Sequence, residues 1–148
     1  MNARELLKAW LPAGLWLLVI FVASTDLGSG EHTAGFLVPL LRWFNPDISA
    51  GSIETAHFLI RKSAHLLAYA ILATLFWRAF ALTFIRQLLP NRALIVLLIA
   101  VSYAAFDEFH QSFVPTRTPS AHDVLIDGCG AAIAIGFCWV WRGRSAAT

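Results

Sequence analysis

Residues 103–136, YAAFDEFHQSFVPTRTPSAHDVLIDGCGAAIAIG, join two apolar runs through a segment crowded with carboxylates, histidines, an arginine and a glutamine. Upstream, ALIVLLIAV (93–101) holds no polar side chain, and downstream the run continues through FCWVW (137–141). A pair of membrane helices reads this way when both are apolar through the bilayer and polar at the end where they meet. The connection VPTRTPSAH is short and holds Pro115 and Pro119, so it predicts a rigid turn that presents Arg117 over the mouth of the bundle. Ser120 is placed to cap the following helix, with Asp123 in its first turn beside the positive helix end.

The rest of the chain agrees with a membrane solvent. The 148 residues are 58% hydrophobic and 14% charged, with a mean hydropathy of +0.67. That composition lies outside the soluble globular range. A formal net charge of +2 without a basic run excludes nucleic acid as a partner. Cys129 and Cys138 stand apart on one apolar helix and read as packing residues, not as a disulfide.

An all-α bundle of four transmembrane spans in a single domain, 1–148, is expected, with spans at about 9–25, 57–84, 92–113 and 122–142. The first follows Arg4 and Lys8 and also has the pattern of a secretory signal, with VAS (22–24) as a cleavage site. Trp10, Trp16 and Pro12 favour a retained anchor, and Trp10, Trp16, Trp43, Trp77, Trp139 and Trp141 all read as interface anchors. Between the first two spans, an apolar stretch at about 33–44 is too short to cross and is expected to be broken by Pro39; an interfacial or re-entrant helix is its expected form.

Arg4, Lys8, Arg78, Arg86, Arg92, Arg142 and Arg144 fall on one side of this topology, which the positive-inside rule assigns to the cytoplasm together with both termini. The polar start of span two, end of span three and start of span four then meet on the opposite face. At about 100° per residue, Lys62, His65 and Tyr69 share one stripe of span two, flanked by Arg61. Tyr103, Asp107 and His110 align on span three, with Gln111 beside them and Glu108 turned off the stripe towards a different partner. Asp123 and Asp127 share a stripe of span four that continues into Gly130, Ala131 and Ala134, small residues that let a neighbouring helix approach. One charge at a helix centre costs about 2.5 to 3.5 kcal/mol on the insertion scale, so these groups are expected to face one another around a polar pocket.

RKSAHLLAYAILATLF (61–76) followed by residues 103–136 resembles the VanZ-like family of small bacterial membrane proteins. The matching pattern comprises Lys62, His65 and Tyr69, then Asp107, Glu108, Gln111 and Arg117, then Ser120, Asp123, Asp127 and Gly130. Asp127 stands where the family more often has Asn, and the first span, with ASTD (23–26) near its end, fits loosely. The resemblance implies a bacterial inner membrane location. It also implies a link to low-level resistance to the glycopeptide teicoplanin, which is associated with the family's founding member.

The enzyme reading is a hydrolysis or group transfer on a membrane lipid or lipid-linked envelope precursor. Asp107, Glu108, His65 and Asp123 would handle protons there. Lys62, Arg117, Gln111, Tyr69, His110, Arg61, Ser120 and Asp127 would bind the phosphorylated ligand. A non-catalytic binder of lipid or antibiotic, and a proton- or ion-coupled transporter, are the alternatives, and against all of them stands a structural reading in which these charges are merely counter-ions that fold the bundle. His32, His57 and His122 read as interfacial. Carboxylates with histidine are able to ligate a divalent metal, but no spacing is diagnostic of one and no cofactor is expected.

Overall fold

The computed structural model describes residues 2–84 and 88–145, and all of its regular structure is helical. Five α-helices follow one another: α1 (Ala3–Ser24), α2 (Gly30–Phe44), α3 (Ala50–Thr83), α4 (Leu89–Gln111) and α5 (Ala121–Ser145), with a 3₁₀ turn at Asp26–Gly28. Four of them, α1, α3, α4 and α5, are long and apolar enough to cross a membrane.

Local capping chemistry sets several ends beyond the apolar windows. The Asn2 side chain accepts from the Glu5 N–H at 2.9 Å while the Glu5 carboxylate accepts from the Asn2 N–H at 3.0 Å, a reciprocal box that starts α1 at Ala3. Ser49 Oγ accepts from the Ser52 N–H at 3.1 Å and starts α3 at Ala50, upstream of its apolar part. With 34 residues, α3 is about 50 Å long. It outruns the hydrocarbon, and its first turns receive α2 through Thr33 Oγ1 and His57 Nε2, 2.7 Å apart.

Pro39 does not break α2, contrary to the sequence expectation; the helix runs unbroken from Gly30 to Phe44. The cost is local, because the Gly35 carbonyl loses its intrahelical donor while the helix continues on either side. The helix leaves Phe36, Trp43 and Phe44 exposed.

The core runs along the inner faces of the long helices and is made largely of Leu72, Ala73, Phe76, Val96, Ala100, Ala104, Ala131 and Ile135. Leu67, Leu94, Leu98, Leu125, Ile133 and Phe137 point outward, as suits side chains whose solvent is hydrocarbon. Two tryptophans expected as interface anchors are packing residues instead. Trp77 is buried, and Trp16 Nε1 donates to the Ala68 carbonyl at 2.8 Å inside the bundle. The indole N–H can enter an apolar interior because a backbone acceptor waits for it there.

α3 and α5 both begin at the same end of the bundle and pair extensively. At Gly130 the two backbones are so close that a Cβ would run into the Leu66 carbonyl. Neither backbone can yield cheaply, so Gly130→Ala should cost about 1–3 kcal/mol through overpacking. A drop in the thermal midpoint of the detergent-solubilised protein would register it, and an unchanged midpoint would show that the helices are free to separate.

Arg78, Arg92 and Arg142 lie at the far end. Trp10 Nε1 donates to Thr83 Oγ1 at 2.9 Å, which fixes the start of α1 against the end of α3. Arg92, fully buried at the start of α4, lies over the Trp77 ring at 5.3 Å. Arg86 falls outside the described residues, as does the side chain of Arg144.

Candidate functional site

The opposite end of the bundle is built by a ladder between α3 and α5. The Lys62 ammonium is bonded to Asp123 Oδ1. One turn further, His65 Nδ1 lies 3.3 Å from Asp127 Oδ1. Helical spacing aligns these rungs on both partners, and the Gly130–Leu66 contact just beyond them holds the helices close enough for the rungs to meet. Tyr69 follows on the same stripe, buried, with its ring 6.5 Å from that of Tyr103.

The end of α4 supplies the third wall. Asp107 accepts from Gln111 Nε2 at 2.9 Å, one turn along the same helix. Glu108 Oε2 accepts from the Ser120 N–H at 2.6 Å, so the two adjacent acids do reach different partners. Ser120 is tied in through its backbone: besides that N–H, its carbonyl accepts from the Asp123 N–H at 2.8 Å and opens α5.

Arg117 takes a place that the sequence did not reveal. Its guanidinium donates through Nε to the Thr25 carbonyl at 3.2 Å and through Nη2 to the Ala23 carbonyl. These acceptors lie at the C-terminal end of α1, where helix carbonyls lack intrahelical donors and the dipole favours a cation. Burial lowers the affinity of Arg117 for its proton, and Arg61 acts in the same direction. An arginine stays charged even so.

The whole ASTD segment is knitted to the α4–α5 connection. Ser24 Oγ lies 3.1 Å from His110 Nδ1, and Thr116 Oγ1 donates to Asp26 Oδ1 at 2.5 Å. His110 therefore faces α1, with its ring against Phe21, rather than joining the acids. Gly28 completes the clamp, because a Cβ there would collide with the Ala23 carbonyl and the Arg117 guanidinium. Sequence reasoning missed Ser24, Thr25, Asp26, Gly28 and Thr116 as partners; the polar run ASTD at the end of an apolar span was the available signal.

Asp107, Glu108, Asp123 and Asp127 are all at most 6% exposed. Among the described residues, Glu108 Oε1, Asp123 Oδ2, Gln111 Oε1 and the Tyr69 hydroxyl have no hydrogen-bond partner, and neither Asp127 oxygen meets hydrogen-bond geometry despite its closeness to His65. Lys62 and His65 are the cationic or protonatable groups that touch the acids. Arg61 is half-buried, with Nε unpartnered. Buried carboxylates with idle lone pairs are costly, so the cluster is under-compensated in positive charge. One ligand atom each from His65, Glu108 and Asp123 lie within 4.8 Å of one another.

These polar groups pack against each other, whereas a described cavity of about 450 Å³ lies outside them. It is an apolar groove lined by Leu18, Val19, Val22, Ala23, Leu27 and Gly28, and its end at Ala23 and Gly28 abuts the Arg117 clamp. His32 and His57 lie near the surface, paired with Ser29 and Thr33.

No curated protein and no solved structure matches the chain. A family model, described as VanZ/LLP1, matches residues 9–142, so the likeness extends through α1 as well as the polar helices. The first span, expected from its sequence to fit only loosely, is thus part of the match, and it meets the α4–α5 connection through the carbonyls of Ala23 and Thr25 and the side chains of Ser24 and Asp26. The chain, a helical protein with four potential membrane spans, belongs to the VanZ/LLP1 family.

Proposed function

We propose that the chain sits in the bacterial inner membrane with both termini in the cytoplasm, and that its acid-lined end faces outward. There it binds and acts on a phosphorylated, lipid-linked cell-envelope molecule, the route by which it would give low-level resistance to glycopeptides such as teicoplanin. The orientation rests on Arg4, Lys8, Arg78, Arg92 and Arg142, which lie at the end opposite the acids.

The observation that carries this reading is the convergence of buried ionisable side chains from three helices, α3, α4 and α5, on one end of the bundle. Groups so expensive to bury in a membrane are functional by default. Lys62, bonded to Asp123, and its chain neighbour Arg61 are half-buried and are the cations offered to a phosphate. Asp107 and Glu108, with His65 across from them, are the proton-handling groups. Arg117, held by the carbonyls of α1, positions the loop that presents Ser120 to Glu108. A transport path is less well supported, because beyond Tyr69 the interior is the apolar layer of Leu72, Ala73, Phe76 and Val96.

The test compares lipids and lipid-linked wall precursors, by mass spectrometry, in cells making the native chain or Asp107→Asn at equal membrane abundance. A species that accumulates or disappears only with the native chain is expected, with loss of that effect of about 100-fold or more in the variant, the lower bound of the usual range for a proton-transfer group. Identical profiles would overturn the reading. A variant that fails to reach the membrane would assign Asp107 to folding instead.

A further inference from the structure

We infer that His65, Glu108 and Asp123 form a binding site for one divalent transition-metal ion. The three come from α3, α4 and α5, and one ligand atom of each lies within 4.8 Å of the others. A chance cluster of surface acids does not look like this: Asp123 is 1% exposed and Glu108 6%.

Each carboxylate has one oxygen engaged and one idle. Asp123 Oδ1 holds the Lys62 ammonium while Oδ2 has no partner, and Glu108 Oε2 takes the Ser120 N–H while Oε1 has none. The engaged oxygens fix the carboxylates in place, and the idle ones are the lone pairs that a cation would use. His65 is arranged in the same way. Its Nδ1 faces Asp127, which leaves Nε2 for the metal, the carboxylate–histidine–metal relay in which the outer carboxylate orients the imidazole and raises its basicity.

Charge points in the same direction. Asp107, Glu108, Asp123 and Asp127 are buried together, and among the described residues Lys62, bonded to Asp123, is the permanent cation in contact with them. A divalent ion would relieve that excess and would also give an incoming phosphate a positive centre among acids that otherwise repel it. The second benefit rests on the proposed lipid-phosphate reading; the site itself does not.

One imidazole with two carboxylates suits Zn²⁺ or Mn²⁺ better than the all-oxygen sets that select Mg²⁺ and Ca²⁺. Three ligands about 2.1 Å from one ion in a tetrahedral set stand about 3.4 Å apart. From separations of up to 4.8 Å the side chains would therefore close by at most about 1.4 Å on binding, within the reach of side-chain rotations.

The test uses the full chain in detergent, stripped with a chelator and titrated with Mn²⁺ followed by electron paramagnetic resonance, and separately with Zn²⁺ by calorimetry. One ion per chain is expected. His65→Ala and Asp123→Asn should weaken binding at least 100-fold, and Asp127→Asn about 10- to 100-fold with unchanged stoichiometry. Asp107→Asn, whose carboxylate lies outside the ligand set, should still bind one ion, and circular dichroism would establish that each variant is folded. Failure of the native chain to bind stoichiometrically would overturn the proposal. Equal weakening by all the acid substitutions, Asp107→Asn included, would also overturn it, since that is diffuse attraction to negative charge. Neither readout involves a lipid, so a metal site without a lipid substrate, or the reverse, would be recognised.

Discussion

Lys62→Met should sharply reduce the amount of folded protein in the membrane, and adding Asp123→Asn to the same chain should restore most of it. The Lys62 ammonium is bonded to a carboxylate that is only 1% exposed, and the lysine side chain is itself 22% exposed. Removing the cation leaves Asp123 buried among Asp107, Glu108 and Asp127 with one fewer positive charge to balance them. Breaking a buried pair in this way costs about 3–5 kcal/mol, a large part of a total stability of about 5–15 kcal/mol. Exchanging both partners for neutral groups of similar shape removes the stranded charge as well as the bond, and such exchanges are often neutral. The measurement is a double-substitution cycle on thermal midpoint and membrane abundance, with a coupling of more than about 1 kcal/mol expected for residues in contact. Additive losses would show that the two residues do not act as a pair. The double variant should regain folding but neither metal binding nor the effect on lipids, which separates the structural worth of the pair from its use.

Much of this site could be read from periodicity. Asp123, Asp127 and Gly130 fall on one helical stripe, and so do Lys62, His65 and Tyr69; when α3 and α5 lie side by side in parallel, the two stripes form the observed ladder. The small residue at 130 was legible as a point of close approach because its role is purely steric. Arg117 was not legible, because its acceptors are the carbonyls of Ala23 and Thr25, and every residue has a carbonyl. A sequence places an arginine near a site but does not say whether backbone will claim it. The same limit applied to Trp16 and Trp77, where an indole suited to the interface is equally suited to an interior acceptor or packing face. At Pro39 the rule that proline interrupts helices did not hold: the Gly35 carbonyl loses its donor, yet α2 continues to Phe44. The starts of α1 and α3 lay upstream of the apolar windows because Asn2 and Ser49 cap polar turns that hydropathy does not register.

Arg117→Lys should release the end of α1 from the α4–α5 connection even though charge is conserved. The guanidinium reaches two carbonyls at once, through Nε and Nη2, and a lysine ammonium cannot reproduce that fork. Hydrogen bonds to a charged group contribute about 1.5–3 kcal/mol each, so loss of one should be measurable and loss of both in Arg117→Ala larger. The remaining ties between these segments, Ser24 with His110 and Thr116 with Asp26, should hold only partly without the guanidinium. Because Ser120 is three residues further along the same turn and donates to Glu108, loosening the clamp should also disturb the acid cluster without touching it directly. Thiol labelling of Thr25→Cys in membranes reports the release: faster labelling in the Arg117→Lys background than with Arg117 intact is expected, together with a lower thermal midpoint. Gly28→Ala, which crowds the same guanidinium, should reproduce both effects. If instead Arg117→Lys left labelling and midpoint unchanged while abolishing the effect on envelope lipids, the arginine would be a ligand-binding residue and its carbonyl contacts would be those of the free protein alone.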